Sequence, residues 1–258
     1  MSIGQPKVSV VTVCYNSAAT IEDTIKSIAM QDHEELEYIV VDGKSSDNTL
    51  EIVGRFGRLV TKCISENDDG IYDAFNKGLS LATGEVIGFL NSDDFYPRAD
   101  VISQVAQAFA DEPELDAIYG DLCYVKQFET DKVLRYWRSS DFEPGLFLRG
   151  WVPPHPTFFV RKRVYDRLGG YDLGYCIASD WELLARFMEV KRIRTRYLPQ
   201  VLVHMRMGGV TNRSWRNVWK QNREIWRAAK AHGLQPSLGG FALGKLWSRG
   251  RQFLARAA

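Results

Sequence analysis

Cysteine is scarce and scattered. The four in 258 residues, Cys14, Cys63, Cys123 and Cys176, form no C-x-x-C pair. That spacing excludes a cysteine zinc site and a disulfide framework, and it fits a reducing, cytosolic setting. Long apolar runs are absent as well. Nowhere do eighteen apolar residues follow one another, and Met1 to Lys7 hold no basic region leading into an apolar core. The sequence therefore predicts neither a membrane span nor a secretory signal. G-x-G-x-x-G and G-x-x-x-x-G-K-[ST] are both missing, so the common dinucleotide and P-loop phosphate cradles are excluded. Negative charge nearly vanishes from the end: residues 211–258 carry ten Lys or Arg against one acid, Glu224. The first 210 residues carry 23 basic against 31 acidic side chains. An acidic body joined to a basic tail that holds four of the seven tryptophans points to two separate jobs.

What is present is a regular alternation. With 45% apolar and 25% charged residues the chain can bury a sizeable core. Val8 to Cys14 is an apolar, β-branched run and predicts a first strand. Ile21, Ile25 and Ile28 then recur at helical spacing. Leu36 to Val41 predicts a second strand, and a second helix follows with Leu50, Val53 and Phe56 inward. Leu59 to Ile64 predicts a third strand, and Ile71, Phe75, Leu79 and Ala82 the stripe of a third helix. Four strand and helix alternations with short connections argue for a doubly wound, mostly parallel α/β sheet with right-handed crossovers.

In such a sheet the polar clusters Cys14 to Asn16, Asp42 to Asp47, Glu66 to Gly70 and Asn91 to Asp94 all fall at strand C-terminal ends and line one crevice. The sharpest is Gly84 to Asp94, an apolar run that stops in Asn91, Ser92, Asp93 and Asp94. Carboxylates with no basic residue within three positions call for a cation, and hard oxygen ligands suit Mg²⁺ or Mn²⁺. The alternative is a helix cap by Asp94.

After Asp94 the alternation loosens. Val101 to Phe109 predicts a helix, and Ala117 to Val125 with Lys132 to Trp137 an antiparallel hairpin. Three prolines in Trp151 to Pro156 place His155 in a rigid loop, as a structural or a functional residue. Asp180 stands at the start of a helix whose apolar face includes Trp181, either as a cap or as a carboxylate kept ionised by the helix dipole. His204, in a strand from Val201 to Thr211, is either a satisfied strand residue or a metal or phosphate ligand. The tail predicts two basic amphipathic helices, one with Trp215, Trp219 and Trp226 on a single face, the other around Phe241 to Leu254. Such helices suit an anionic membrane surface or packing on the acidic body, with a nucleic-acid patch the weaker option.

Taken together, Val8 to Asn16, Val40 to Thr49, Ser65 to Gly78, Phe89 to Asp94 and Ala178 to Leu184 resemble the family-2 glycosyltransferases of bacterial surface-polysaccharide synthesis, which are inverting enzymes with the GT-A fold. The resemblance covers residues 7 to 210 and implies a nucleotide-sugar half at 1–98, an acceptor half at 99–210 and a basic tail at 211–258. It implies that Asp42, Asp69 and Gly70 contact the base and ribose of a nucleotide-sugar, with Thr12, Tyr15 and Asn16 beneath, and that Asn91 and Ser92 adjoin the donor. Asp93 would hold Mn²⁺ or Mg²⁺ with assistance from Asp94 and His204, Asp180 would be the general base, and His155 and Trp181 would lie on the acceptor side. Where the family's metal motif usually begins with Asp, this chain has Asn91, and Gly43 stands where many members carry a second Asp.

The chemistry suits these residue types. A cation neutralises a diphosphate leaving group, and one carboxylate takes the acceptor hydroxyl's proton during inversion. The resemblance implies an enzyme at the cytoplasmic membrane face that acts on a glycan or polyprenyl-linked saccharide and binds no nucleic acid. A nucleotidyltransferase would want a Gly-rich basic loop after the first strand, which Cys14 to Ala18 does not supply. A non-catalytic nucleotide-sugar or carbohydrate-binding module is the remaining alternative.

Overall fold

A computed structural model describes residues 4–208 and 215–235. The first half alternates as the sequence predicts: β1 (Val8–Cys14), α1 (Ile21–Ala29), β2 (Leu36–Asp42), α2 (Thr49–Arg55), β3 (Val60–Ser65), α3 (Ile71–Leu81) and β4 (Val86–Phe89). β1 pairs in parallel with β2 on one side and β4 on the other, and β3 extends the parallel sheet beyond β2. All seven residues of β1 are buried, which is why its sequence is mostly apolar and shows no alternation of apolar with charged residues. Its two faces serve different cores. Val11 and Val13 pack with Tyr72 and Phe75 of α3. Val8 and Val10 pack with Ile21 and Ile25 of α1. The sheet is covered by helices on both faces, the doubly wound arrangement.

Inside α2 the phase differs from expectation. Ile52 and Val53 are the buried pair, while Leu50 is exposed, because the helix begins at Thr49 and turns its second residue outward. Ile71 likewise faces solvent at the first position of α3.

The second half holds β5 (Asp94–Phe95), α4 (Val101–Asp111), β6 (Ala117–Val125), β7 (Val133–Trp137), β8 (Phe159–Arg161), α5 (Lys162–Leu168), α6 (Ser179–Leu184), β9 (Thr195–Arg206) and α7 (Trp215–Ala231). The predicted hairpin is β6 with β7. Among the described residues the sheet runs β3-β2-β1-β4-β8-β6-β9-β5, with β7 on β6. β8, three residues long, pairs antiparallel with both β4 and β6 and so joins the two halves. It lies close over β4: a Cβ at Gly88 would sit 2.4 Å from Phe159 Cε1, so only glycine admits this approach. β9 begins six residues before the expected Val201, and Gly209 to Thr211 and the predicted second tail helix lie outside the described residues. Asp94 is a buried strand residue of β5, not a helix cap.

The edge of the sheet opposite the polar clusters is locked by Glu37, which is almost fully buried. It accepts hydrogen bonds from Ser9 Oγ (2.5 Å), Thr83 N (2.8 Å) and Thr83 Oγ1 (2.7 Å), and Lys62 Nζ stands 3.3 Å away. Burial pushes its carboxyl up, but the Ser9 and Thr83 hydrogen bonds and the charge of Lys7 outweigh it and bring it from 4.5 down to about 2. A carboxyl held lower in the folded chain stabilises fully above its unfolded value. That contribution is lost as pH falls from about 4.5 toward 2. Glu37→Gln turns an amide donor toward groups that themselves donate, a cost of about 1–3 kcal/mol. Thermal unfolding checks this: the variant should melt several degrees below the parent at pH 7, with the gap closing as pH approaches 2 to 3.

Candidate active site

Because β1, β2, β3 and β4 run in parallel, the segments that follow them emerge along one edge. Hydrogen bonds between these segments stitch them together. Ser45 Oγ accepts from Asn16 N at 2.8 Å, and Asn16 Oδ1 accepts from Ser46 N at 2.9 Å. Ser17 Oγ and Ser92 Oγ are hydrogen-bonded at 2.8 Å, which ties the segment after β1 to the one after β4. Asn16 and Lys44 adopt left-handed backbone, with φ of 48° and 62°. At Gly43 three segments meet: a Cβ there would lie 2.5 Å from Asp68 Oδ2 and 3.5 Å from the Tyr15 ring. The Asp68 carboxylate fills the space beside Gly43.

The residues expected to line a nucleotide site divide by exposure. Tyr15 (64% exposed), Asn16, Asp69 and Gly70 are open, and Asn91 and Ser92 are half-buried. Thr12 and Asp42 are fully buried. Asp42 Oδ2 accepts from Ser45 N (2.9 Å) and Ser65 Oγ (2.7 Å), and Oδ1 from Ser45 Oγ (2.5 Å). It therefore holds the crevice floor together from beneath.

At the end of β4 the chain buries one carboxylate beside another. Asp94 has no exposed surface; its Oδ2 accepts from Asn91 Nδ2 at 2.9 Å, while Oδ1 is buried without a hydrogen-bond partner among the described residues. Burial first, and then the charge of Asp93, push the Asp94 carboxyl well above the usual range. Asp93 is half-buried, and its carbonyl accepts from Arg206 Nη1 at 2.9 Å. An acid at position 91 would set a third negative charge against this pair; Asn91 supplies a donor instead. The orphaned Asp94 oxygen and the like-charged pair are what a cation beside Asp93 would relieve, so the donor set fits a hard divalent ion. Among the described residues no three His, Cys, Asp or Glu side chains group as a complete metal cage, which leaves the remaining ligands to phosphate oxygens and water.

His204 stands apart from that pair. It is the cross-strand partner of Phe95, its ring 5.3 Å away, so alternation places it on the other side of the sheet from Asp94. Burial lowers its pKa. Arg206, two residues on, is the functional neighbour that sequence reasoning missed. It is buried, and besides Asp93 it grips Asp23 Oδ2 at 2.5 Å and lies over the Phe95 ring.

On the far side of α3, Asp180 is the second residue of α6 and half-buried. Its Oδ1 accepts from Trp181 N at 2.8 Å and from Tyr72 Oη at 3.1 Å. His155 belongs to the same neighbourhood. Its Nε2 is hydrogen-bonded to Tyr171 Oη at 2.6 Å, and its ring packs against Phe75 and Phe89. Burial lowers the His155 pKa, with the charge of Asp180 opposing. The structure thus brings together Asp180 and His155, which the sequence separates by two secondary elements. Trp181 is 7% exposed and packs edge-on against Phe147 at 5.9 Å, so its ring belongs to the core.

α7 closes over this region. Its inward face is Glu224, Ile225, Ala228 and Ala229. Glu224, the only acid after residue 210, accepts from Ile177 N (2.8 Å) and Ala178 N (3.1 Å) just before α6. His232 Nε2 and Glu182 Oε1 lie 2.6 Å apart. The outward face carries Arg216, Lys220, Arg223 and Lys230 around Trp219, which is 65% exposed with the Arg223 guanidinium 5.6 Å above its ring. Trp226 is half-buried. Among the described residues no helix is long and apolar enough to cross a membrane.

Comparison with known proteins agrees with this layout. Residues 9–172 match the family described as Glycosyl transferase family 2. A Mycobacterium tuberculosis protein named PGL/p-HBAD biosynthesis glycosyltransferase is 31% identical over 213 residues, spanning 80% of each chain. An uncharacterized Nostoc glycosyltransferase is 34% identical over 218 residues, 80% of this chain and 66% of the relative. Among solved structures, a Pyrobaculum calidifontis mannosyltransferase in complex with GDP-Man and Mn²⁺ superposes with a TM-score of 0.65 at 23% identity, covering 98% of this chain and 72% of that one. TarS 1–349 of S. aureus in complex with UDP-GlcNAc gives 0.66 at 21% identity, covering 92% and 69%. At such identities the likeness shows the fold, GT-A, which was expected from the sequence.

Proposed function

The chain belongs to glycosyl transferase family 2, and on that premise we propose that it moves a sugar, with inversion, from a nucleotide-sugar to a hydroxyl of a glycan or lipid-linked acceptor in cell-surface polysaccharide synthesis. The observation that carries the reading is the pairing of two features on one fold: a buried carboxylate, Asp94, beside the half-buried Asp93 at the end of β4, and a separate, hydrogen-bonded carboxylate, Asp180, at the start of α6. The nucleoside lies against Tyr15 and Asn16, with Asp69 and Gly70 along its edge and Asn91 and Ser92 beside the ribose and phosphates. Asp42 holds these segments in place from below, and Thr12 lies buried beneath them. Asp93 holds the divalent ion, and Asp94 supports it from behind with Asn91 and Arg206 fixing the turn. When bound, Mn²⁺ or Mg²⁺ neutralises the charge that develops on the diphosphate leaving group.

Asp180 is the general base. Its neighbours in the structure suit that task, since the carboxylate is oriented by two donors on one oxygen while remaining half-exposed. His155 is proposed to support the acceptor side through Tyr171 rather than to touch the acceptor itself. Two readings stand against transfer: a nucleotidyltransferase, which needs a basic loop after β1, and a non-catalytic binder, in which the Asp180 carboxylate has no task. The donor panel of UDP-, GDP- and dTDP-sugars with Mn²⁺, read by thermal shift and then by turnover, identifies the substrate. Asp180→Asn should lose about 10³-fold or more in turnover, the scale of a general base and beyond, while the Mn²⁺-dependent thermal shift by the donor is retained. Unimpaired turnover in that variant would remove Asp180 from the chemistry.

The outward face of α7 supports a second, locational reading: an enzyme held at the cytoplasmic face of a membrane by Trp219 and the surrounding cations. Charge in this position has no acidic partner on its own helix, because Glu224 is turned inward. Co-sedimentation with vesicles containing anionic lipid tests it. Replacing Trp219 by Ala and Arg216, Lys220 and Arg223 by Gln should reduce the bound fraction several-fold and leave turnover on a water-soluble acceptor unchanged. Equal sedimentation of variant and parent would contradict it.

A further inference from the structure

Asp180 is useful as a base only if one of its oxygens is aimed at the acceptor hydroxyl, and the structure shows what fixes the rotation of that carboxylate. Oδ1 takes both hydrogen bonds, one from the Trp181 N–H and one from the Tyr72 hydroxyl. Oδ2 carries none among the described residues. Trp181 is the adjacent residue, so its N–H sets only a local constraint. Tyr72 comes from 108 positions earlier in the chain and ties the carboxylate to the other half of the fold.

Tyr72 is itself held firmly. It is 8% exposed, and its ring stacks on Tyr171 with centroids 5.8 Å apart and an interplanar angle of 20°. Tyr171 is clamped in turn by α3. Asn76 Nδ2 donates to the Tyr171 carbonyl at 2.9 Å, and Asn76 Oδ1 accepts from Tyr171 N at 2.8 Å. That clamp requires Gly170, since a Cβ there would lie 2.4 Å from Asn76 Oδ1. The hydroxyl of Tyr171 is anchored on His155. Burial and the neighbouring Asp180 charge push the Tyr72 phenol upward, so it stays protonated and can only donate to the carboxylate.

Tyr72 also sits two residues after Gly70, whose φ of 114° makes the turn from the 66–70 loop into α3. In that loop Gly70 N donates to Asp68 Oδ1, and Asp69 N to Asp73 Oδ2. The loop proposed to receive the nucleoside therefore ends on the residue that orients the base.

We infer that Tyr72 is a positioning residue: its hydroxyl, anchored through Tyr171, Asn76 and His155, locks Asp180 Oδ1 and presents Oδ2 to the acceptor. This rests on the assignment of Asp180 as the base. In the step it serves, the acceptor oxygen forms its bond to the anomeric carbon as the bond from that carbon to the diphosphate oxygen breaks. The acceptor's proton passes to Asp180 Oδ2, and the nucleoside diphosphate leaves with the bonding pair. Neither the proton nor the electron pair passes through Tyr72.

The test is a double-mutant cycle in the full-length chain with Mn²⁺ and whichever of the UDP-, GDP- or dTDP-sugars supports turnover. Tyr72→Phe keeps the ring stack on Tyr171 and removes only the donor. We expect kcat to fall about tenfold or more, the scale at which loss of orientation is felt, with donor KM and thermal midpoint unchanged. In an Asp180→Asn background the same substitution should cost less than twofold, because the carboxylate it serves is gone. A kcat for Tyr72→Phe within twofold of the parent would overturn the inference, as would a full additional loss in the Asp180→Asn background. Tyr72→Leu, which also loses the stack, should lower the thermal midpoint. If the kcat loss appeared in Tyr72→Leu and not in Tyr72→Phe, the residue would be structural only. Full activity of Asp180→Asn alone would instead reject the base assignment, a separate outcome from failure of the Tyr72 link.

Discussion

The site depends on one constraint: β1 lies between β2 and β4, and all three run the same way. Parallel pairing delivers the C-terminal ends of the strands to one edge, and with them the polar segments that a buried strand cannot contain. The opposite edge is closed by Glu37, Ser9 and Thr83, and Gly84 N donates to Ser9 Oγ at 2.8 Å. One end of the sheet is thereby spent on stability and the other left for chemistry. β8 extends the arrangement, since its antiparallel pairing with β4 and β6 joins the second half of the chain to the first. Asp94, Asp180 and His155 then occupy related positions because the strands and helices that carry them are locked to one sheet.

The electrostatics follow from the same geometry. A carboxylate in the interior must be hydrogen-bonded, paired or neutralised. Glu37 is paired and hydrogen-bonded, and is held low. Asp42 is fully buried with three hydroxyl and amide donors around it. Asp94 has one side-chain donor, Asn91, and although the nearby Arg206 opposes the shift, burial and the charge of Asp93 push it up. These three buried acids differ in how completely their oxygens are satisfied, and Asp94, the least satisfied, is the one at the proposed metal platform. That contrast separates a structural carboxylate from one whose environment is completed by a ligand.

Much of this was legible in the sequence, for identifiable reasons. Largely apolar, β-branched runs marked β1 and β4, and the abrupt acid cluster after Phe89 marked the strand end at which Asp93 and Asp94 stand, because both signals are local. Asp42 shows the limit: its place at the end of β2 was legible, but only packing reveals that Ser45 and Ser65 enclose it and leave no exposed surface. Leu50 and Ile71 were assigned inward by periodicity, and helix starts at Thr49 and Ile71 turned them out. The bond from Tyr72 to Asp180 spans 108 positions and leaves no trace in spacing. β8 is three residues long and joins strands distant in sequence, so no periodic signal could announce it. Glu224 is a case where composition did speak: the single acid of a basic segment is the residue that faces the body and binds the N–H groups before α6.

The central claim is direct displacement, with a base on one side of the anomeric carbon and a metal-held diphosphate on the other. The stereochemistry of the product tests it without reference to any one residue. Proton NMR of the first-formed glycoside, made from an α-linked nucleotide-sugar in the presence of Mn²⁺, should show the β-anomer only. An α-linked first product would contradict the account, because direct attack by the acceptor oxygen opposite the leaving group inverts the configuration.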